Sequence, residues 1–114
     1  MSEASCIFCK IVAGDIPANF IHRDDEIVAI ADVNPQAPRH VLVLPVRHAA
    51  NVIEFAATAD AEVVQKLLRV AGKIGSEDPG GFRLVMNTGP EGGQTVDHLH
   101  IHVLGGRPMT WPPG

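Results

Sequence analysis

The segment VDHLHIHVLGG, residues 96–106, sets His98, His100 and His102 at alternate positions, with Leu99, Ile101 and Val103 between and after them. Alternate side chains of an extended chain share a face. Three imidazoles would therefore line one side while the aliphatic residues pack on the core from the other. On a regular strand, successive histidines stand roughly 6.6 Å apart and the outer pair about 13 Å apart. Three readings fit the pattern. The row can be a solvated polar face. It can hold a metal, although that span makes the outer rings lean inward, and a two-histidine site needs a further ligand from elsewhere. Or the central ring can attack an electrophile, because neutral imidazole is a good nucleophile near pH 7. In that case the flanking imidazoles help keep His100 uncharged, since charging all three is disfavoured. An Nδ1 proton held by a backbone carbonyl would leave Nε2 free to attack phosphorus. His102 could then hydrogen-bond a phosphate oxygen as charge builds there.

Such chemistry needs an anion cradle. TGPEGGQT, residues 88–95, lies just before the histidines. Gly89, Gly92 and Gly93 would let backbone N–H groups turn inward as a nest. Thr95 adds a hydroxyl for phosphate or for a departing atom, and Asn87 adds an amide. Read alone, the stretch is an ordinary glycine-rich connection; its position makes it a candidate. Asp32, immediately before a proline-rich loop, can accept two ribose hydroxyls or can simply start an Asx turn. Cys6 and Cys9, spaced C-x-x-C, are the only cysteines. A lone pair this close is no disulfide framework, and metal ligation, redox chemistry and burial all stay open.

The elements that must position these groups follow from pattern. Ile7, Phe8, Ile11 and Val12 mark a short helix closed by Gly14 and Pro17. Residues 20–22 and 26–31 read as strands joined by a turn, and 34–38 as a loop. Val41–Val46 is a buried strand despite Pro45. Val63, Val64, Leu67, Leu68, Ala71 and Ile74 fall at helical spacing, so residues 60–76 form an amphipathic helix ended by the turn at 78–81. Residues 82–87 and 97–104 are two further strands. The expected class is α+β: a mainly antiparallel sheet of about five strands, one long helix and one short helix. The core is thin, and a homodimer that continues the sheet would extend it.

A chain of 114 residues suits a single domain, residues 1–114. Its net charge of −4 argues against a nucleic-acid-coating protein, while leaving room for one small anionic ligand. No apolar run approaches the roughly 18 residues that span a bilayer. Residues Met1 to Ser5 lack the basic and apolar regions of a secretory leader, so a cytoplasmic location without membrane contact is expected.

HLHIHVL at 98–104 resembles the defining motif of the histidine triad (HIT) superfamily. DVNPQAPRHVLVLPVRH (32–48), GGQTV (92–96) and GGRPMTWPPG (105–114) resemble its nucleotide-binding, Hint-like branch. The resemblance runs from about Ile7 to Gly114. It implies an α+β sheet paired as a homodimer, and hydrolysis of purine nucleoside 5′-phosphoramidates and adenylates through a nucleotidyl-histidine intermediate, releasing AMP or GMP. By position it makes His100 the nucleophile, and gives the phosphate to Asn87, Gly93, Gln94, Thr95 and His102. The ribose falls to Asp32, the purine to Ile11 and Val33, and leaving-group choice to Trp111 at the partner's site. His40 supports the triad from the neighbouring strand. No cofactor is implied for the chemistry.

There are departures. Ile30 and Ala31 stand where the branch often has an aromatic residue and a histidine, which suggests a wider base pocket. Thr95 replaces a commoner serine, and its β-branching restricts the rotamer. CIFC at 6–9 resembles the zinc-binding start of other superfamily members, and implies structural zinc on Cys6, Cys9, His48 and His98. Two rival functions stand beside the hydrolase: a nucleotide-binding interaction module with incidental catalysis, and a metal-dependent enzyme using His98, His100 and His102 as ligands.

Overall fold

The computed structural model describes residues 3–114; Met1 and Ser2, the start of the segment read above for a leader, lie outside the described residues. Helix α1, Ile7–Ala13, is capped by Cys6, whose sulfur accepts the Cys9 N–H, and ends on Gly14 at φ 88°, a left-handed position that glycine takes without strain. Strands β1 (Phe20–Arg23) and β2 (Ile27–Ala31) form a hairpin, and the Asp24 carboxylate fixes their turn by accepting the Glu26 and Ile27 N–H groups. Strand β3 is Arg39–Pro45, β4 is Phe82–Val85 and β5 is Ile101–Gly105. They make one five-stranded antiparallel sheet in the order β1-β2-β3-β5-β4.

The central strands β2 and β3 are buried on both faces. Long helix α3, Ala61–Gly75, lays Leu67, Val70, Ala71 and Ile74 on one face, against Val41, Val43, Leu99, Ile101 and Val103. Helix α1 covers part of the other face with Phe8, Cys9 and Ile11 against Val28, Ile30, Leu42 and Leu44. The aliphatic and imidazole members of the 98–103 segment thus face opposite layers, as the alternation requires. Among the described residues, no helix is long and apolar enough to cross a membrane.

Two expectations are corrected. A second short helix, α2 (Val52–Thr58), follows β3, giving three helices rather than two. Its signal was present in the sequence: Asn51 caps the Glu54 N–H, Glu54 reaches back to the Ala50 N–H, and Phe55 points inward. The histidine strand is also shorter than 97–104, since it begins only at Ile101. Pro45 has no N–H to extend the ladder from β3. The polar groups just before β5 bond elsewhere. The Leu99 N–H donates to the Ala49 carbonyl, and the His98 carbonyl accepts from the His100 ring.

Candidate active site and metal centre

The pairing of β3 with β5 brings His40 and His102 together. Leu42 lies directly opposite His102, and His40, two residues before it, is the diagonal neighbour on the same face. His100 follows from the other end of β5, its ring centroid 5.1 Å from that of His102. Phe8 of α1, unassigned by sequence reasoning, closes the group. Its ring stands edge-on to His100 at 5.0 Å and to His98 at 5.8 Å.

Hydrogen bonds assign the ring protons. His100 Nδ1 lies 2.7 Å from the His98 carbonyl, which can only accept, so Nδ1 carries the proton and Nε2 the lone pair. Nε2 has no hydrogen-bond partner among the described residues, nor is it among their fully buried orphaned polar atoms, so it reaches the surface although the residue is 8% exposed. Gln36 N–H donates to His40 Nδ1 at 3.0 Å, which puts the proton of a neutral His40 on Nε2. That Nε2–H lies 2.9 Å from His102 Nδ1 and 3.3 Å from an Asp32 carboxylate oxygen. His102 Nδ1 therefore accepts, and its own proton sits on Nε2, facing outward. Side by side, the site offers one bare nitrogen on His100 and one donor on His102.

Charge state follows from burial more than from the repulsion first expected. Burial lowers the His100 pKa, against its bond to the His98 carbonyl and the Asp32 charge, both of which raise it. Burial also pushes His102 down to about 4, with further lowering from His100 and His40. Both rings are neutral near pH 7.

His98 points away from this pair. Its Nδ1 lies 3.3 Å from the Cys6 sulfur and 3.6 Å from the Cys9 sulfur, and His48 Nδ1 lies 3.5 Å from the Cys9 sulfur. All four ligand atoms fall within 4.8 Å of one another. A tetrahedral zinc would separate such ligands by about 3.3–3.8 Å. Each outer ring nitrogen meets an acceptor: His98 Nε2 the Pro45 carbonyl at 2.8 Å, His48 Nε2 a Glu3 carboxylate oxygen at 3.4 Å. Both protons are therefore held outside, and both Nδ1 lone pairs turn toward the sulfurs, as metal-bound histidines require. Burial pushes the Cys9 thiol up. A cation would offset that, so the donor set fits a soft divalent metal. Asp32, His40 and His102 also cluster within 4.8 Å, but there the His40 proton occupies the centre, so they form a hydrogen-bond chain. The rings of His98, His100 and His102 do not converge on a common point, which contradicts their use as a joint metal site.

The glycine loop differs from the expected nest. The Gly93 N–H bonds the Pro90 carbonyl and the Gln94 N–H bonds the Gly89 carbonyl, so neither amide is free for an anion. The Gln94 side chain clamps the loop. Its carbonyl oxygen accepts the Gly89 N–H, and its NH2 donates to the Ala50 and Val96 carbonyls. Gln94 is thus a loop brace rather than a phosphate ligand. Gly92 is obligatory for close packing: a Cβ there would sit 2.2 Å from the Thr88 carbonyl oxygen. Asn87 is half-buried with its amide nitrogen beside Gly93, and Thr95 is exposed on the wall of a cleft of about 360 Å³ that Cys6, Ile7 and His48 also line. Ile11 is buried under the sheet beside Ile30 and Leu42, while Val33 and Trp111 (82% exposed) project into solvent.

The HIT domain family matches residues 13–109. A 14 kDa zinc-binding protein of Zea mays is 38% identical over all of this chain and 91% of its own length. An adenylylsulfatase HINT1 of Arabidopsis thaliana is 38% identical over 99% of this chain and 79% of its own. A HIT family hydrolase of Legionella pneumophila superposes with a TM-score of 0.90 at 43% identity, covering 96% of this chain and all of that one. Fold, triad and sequence agree over nearly the whole chain, which belongs to the HIT domain family.

Proposed function

We propose that the protein is a nucleotide hydrolase that cleaves purine nucleoside 5′-phosphoramidates and related adenylates through a nucleotidyl-His100 intermediate. The observation that carries this reading is the 2.7 Å contact between His100 Nδ1 and the His98 carbonyl, which leaves Nε2 as the unprotonated, outward atom. The hydrolase and adenylylsulfatase relatives support the reaction class.

In this mechanism Asp32 accepts the ribose hydroxyls, with Ile11 and Val33 beside the purine. His100 Nε2 attacks the α-phosphorus in line with the leaving group; the P–N bond breaks as the N–P bond forms. The His102 Nε2–H, the Asn87 amide and Thr95 donate to the phosphoryl oxygens as their charge grows. The departing nitrogen takes the electron pair of the broken P–N bond and a proton from solvent, with the Thr95 hydroxyl hydrogen-bonded to it, and leaves as the amine. Water then cleaves the N–P bond, releasing AMP or GMP and restoring His100. Cys6, Cys9, His48 and His98 would hold a structural zinc, a reading the maize relative's name supports; four protein ligands would give it a structural rather than a catalytic part. The half-exposed Phe82, Leu84 and Met86 on edge strand β4 and its exit support a homodimer joined along that edge, in which Trp111 would reach the partner's site.

The test is hydrolysis of an adenosine 5′-phosphoramidate followed across pH. Both rings must be neutral, and both have pKa values below the ordinary 6.5. A depressed histidine pKa keeps the neutral form on further acidification. The kcat/KM profile is therefore expected to begin falling only below the ordinary histidine value of 6.5, and to keep falling as pH approaches the His102 value of about 4. AMP binding without its release from the phosphoramidate would instead favour the interaction module.

A further inference from the structure

Arg107 sits just after β5, exposed and with no carboxylate partner among the described residues. Every one of its hydrogen bonds goes to a main-chain carbonyl. Nε and Nη2 converge on the Gln36 carbonyl at 3.2 and 3.1 Å, and Nη1 reaches the Pro108 carbonyl at 3.0 Å. The fork ties the C-terminal segment to a loop 71 residues earlier in the chain.

That loop carries the site. Between Asp32 and Pro38 it has no regular secondary structure, and three hydrogen bonds of Asn34 and Gln36 hold the proton chain in register. Asn34 N–H bonds Asp32, the Gln36 side chain bonds the Asn34 carbonyl, and the Gln36 N–H bonds His40 Nδ1. The far side of the loop rests on Gly106, at φ +88°, where a Cβ would lie 2.9 Å from Pro38 Cβ. Among these restraints on the described residues, the Arg107 fork is the one that holds the Gln36 carbonyl, while the Gln36 N–H bonds His40.

We propose that Arg107 is a positioning residue for His102, acting through Gln36 and His40; the consequence for turnover rests on the hydrolase reading above. The Gln36 N–H keeps the His40 proton on Nε2, and His40 Nε2–H keeps the His102 proton on Nε2, where it meets the substrate. Release of Gln36 removes the donor from His40 Nδ1. The His40 proton can then reside on Nδ1, turning a bare Nε2 toward His102. His102 answers by holding its proton on Nδ1, and the outward donor is lost. Each ring keeps one proton throughout, and only its address changes. Lysine cannot imitate the device, because an ammonium group has no planar fork to converge on one carbonyl.

The direct test is long-range ¹H–¹⁵N correlation of the histidine rings in the full-length, unliganded protein at pH 7. Wild type should show His40 and His102 protonated at Nε2. In both Arg107→Ala and Arg107→Lys the His40 tautomer ratio should shift about tenfold toward Nδ1–H, the equivalent of one lost hydrogen bond. Phosphoramidate kcat should fall by a similar factor, with KM within about twofold. Unchanged tautomers in both variants would overturn the proposal, and so would a lysine variant matching wild type, since charge alone would then suffice. The ring signals are read without substrate. A wild type that shows the expected tautomers but hydrolyses no phosphoramidate would thus refute the hydrolase reading separately, leaving the ring-proton assignment supported.

Discussion

Replacing His100 by alanine is expected to lower turnover of adenosine 5′-phosphoramidate by at least about 10⁴-fold, while AMP affinity changes by less than about threefold. The size of the effect follows from geometry. Among the triad histidines, His100 presents the deprotonated ring nitrogen to solvent, because its other nitrogen is pinned to the His98 carbonyl. His102 cannot substitute, since its inner nitrogen is occupied by His40 and its outer one carries a proton. Binding survives because the groups proposed for ribose and phosphate lie on the Asp32 loop, β5 and the glycine loop. Steady-state kinetics together with titration calorimetry on AMP measure both halves. Turnover within tenfold of wild type would remove His100 from the nucleophile's role.

Cys9→Ala is expected to give the second large effect, on stability. The substitution leaves three ligands, and one of them, His98, also supplies the carbonyl that holds the nucleophile's Nδ1 proton. Bound zinc should fall from about one per chain to below about 0.2 after exposure to chelator. Melting temperature should drop by about 10 °C or more, corresponding to about 3 kcal/mol for a domain of this size. Elemental analysis and calorimetry report the two quantities. A chelator on wild type should likewise lower the melting temperature before it lowers turnover. Loss of turnover at intact stability, restored by one metal, would favour metal-dependent chemistry instead. A Cys9→Ala protein with unchanged melting and metal content would show that the cluster is only a buried thiol pair.

The elements were largely legible in the sequence because their signals are local. The periodicity of Val63 to Ile74 marks α3, and the alternation of Leu99, Ile101 and Val103 marks the buried face of β5. The pairing of His40 with His102 was legible only through the family resemblance and not from local pattern, because it depends on β3 lying beside β5 across a long connection. The start of β5 was misplaced because nothing in HLHIHVL itself reveals that Pro45 ends the ladder and that His98 turns off toward the cysteines. Glycine counting suggested a nest of Gly89, Gly92 and Gly93, whereas the loop uses the Gly89 and Gly93 amides, with that of Gln94, to close on itself. Burial as the main cause of neutral imidazoles was hidden too, since it arises from Phe8 and the layers above, which only the fold assembles.

The account stands or falls on a covalent bond between His100 and the nucleotide. Enzyme mixed with excess adenosine 5′-phosphoramidate, quenched within milliseconds in conditions that preserve phosphoramidates and analysed by peptide mass spectrometry, reads it directly. The expected result is an added adenylyl group on the peptide containing residues 98–102, localised to His100 and absent from His100→Ala. Rapid AMP release in the same samples, with no adduct at any quench time, or with the adduct on His98 or His102, would contradict it.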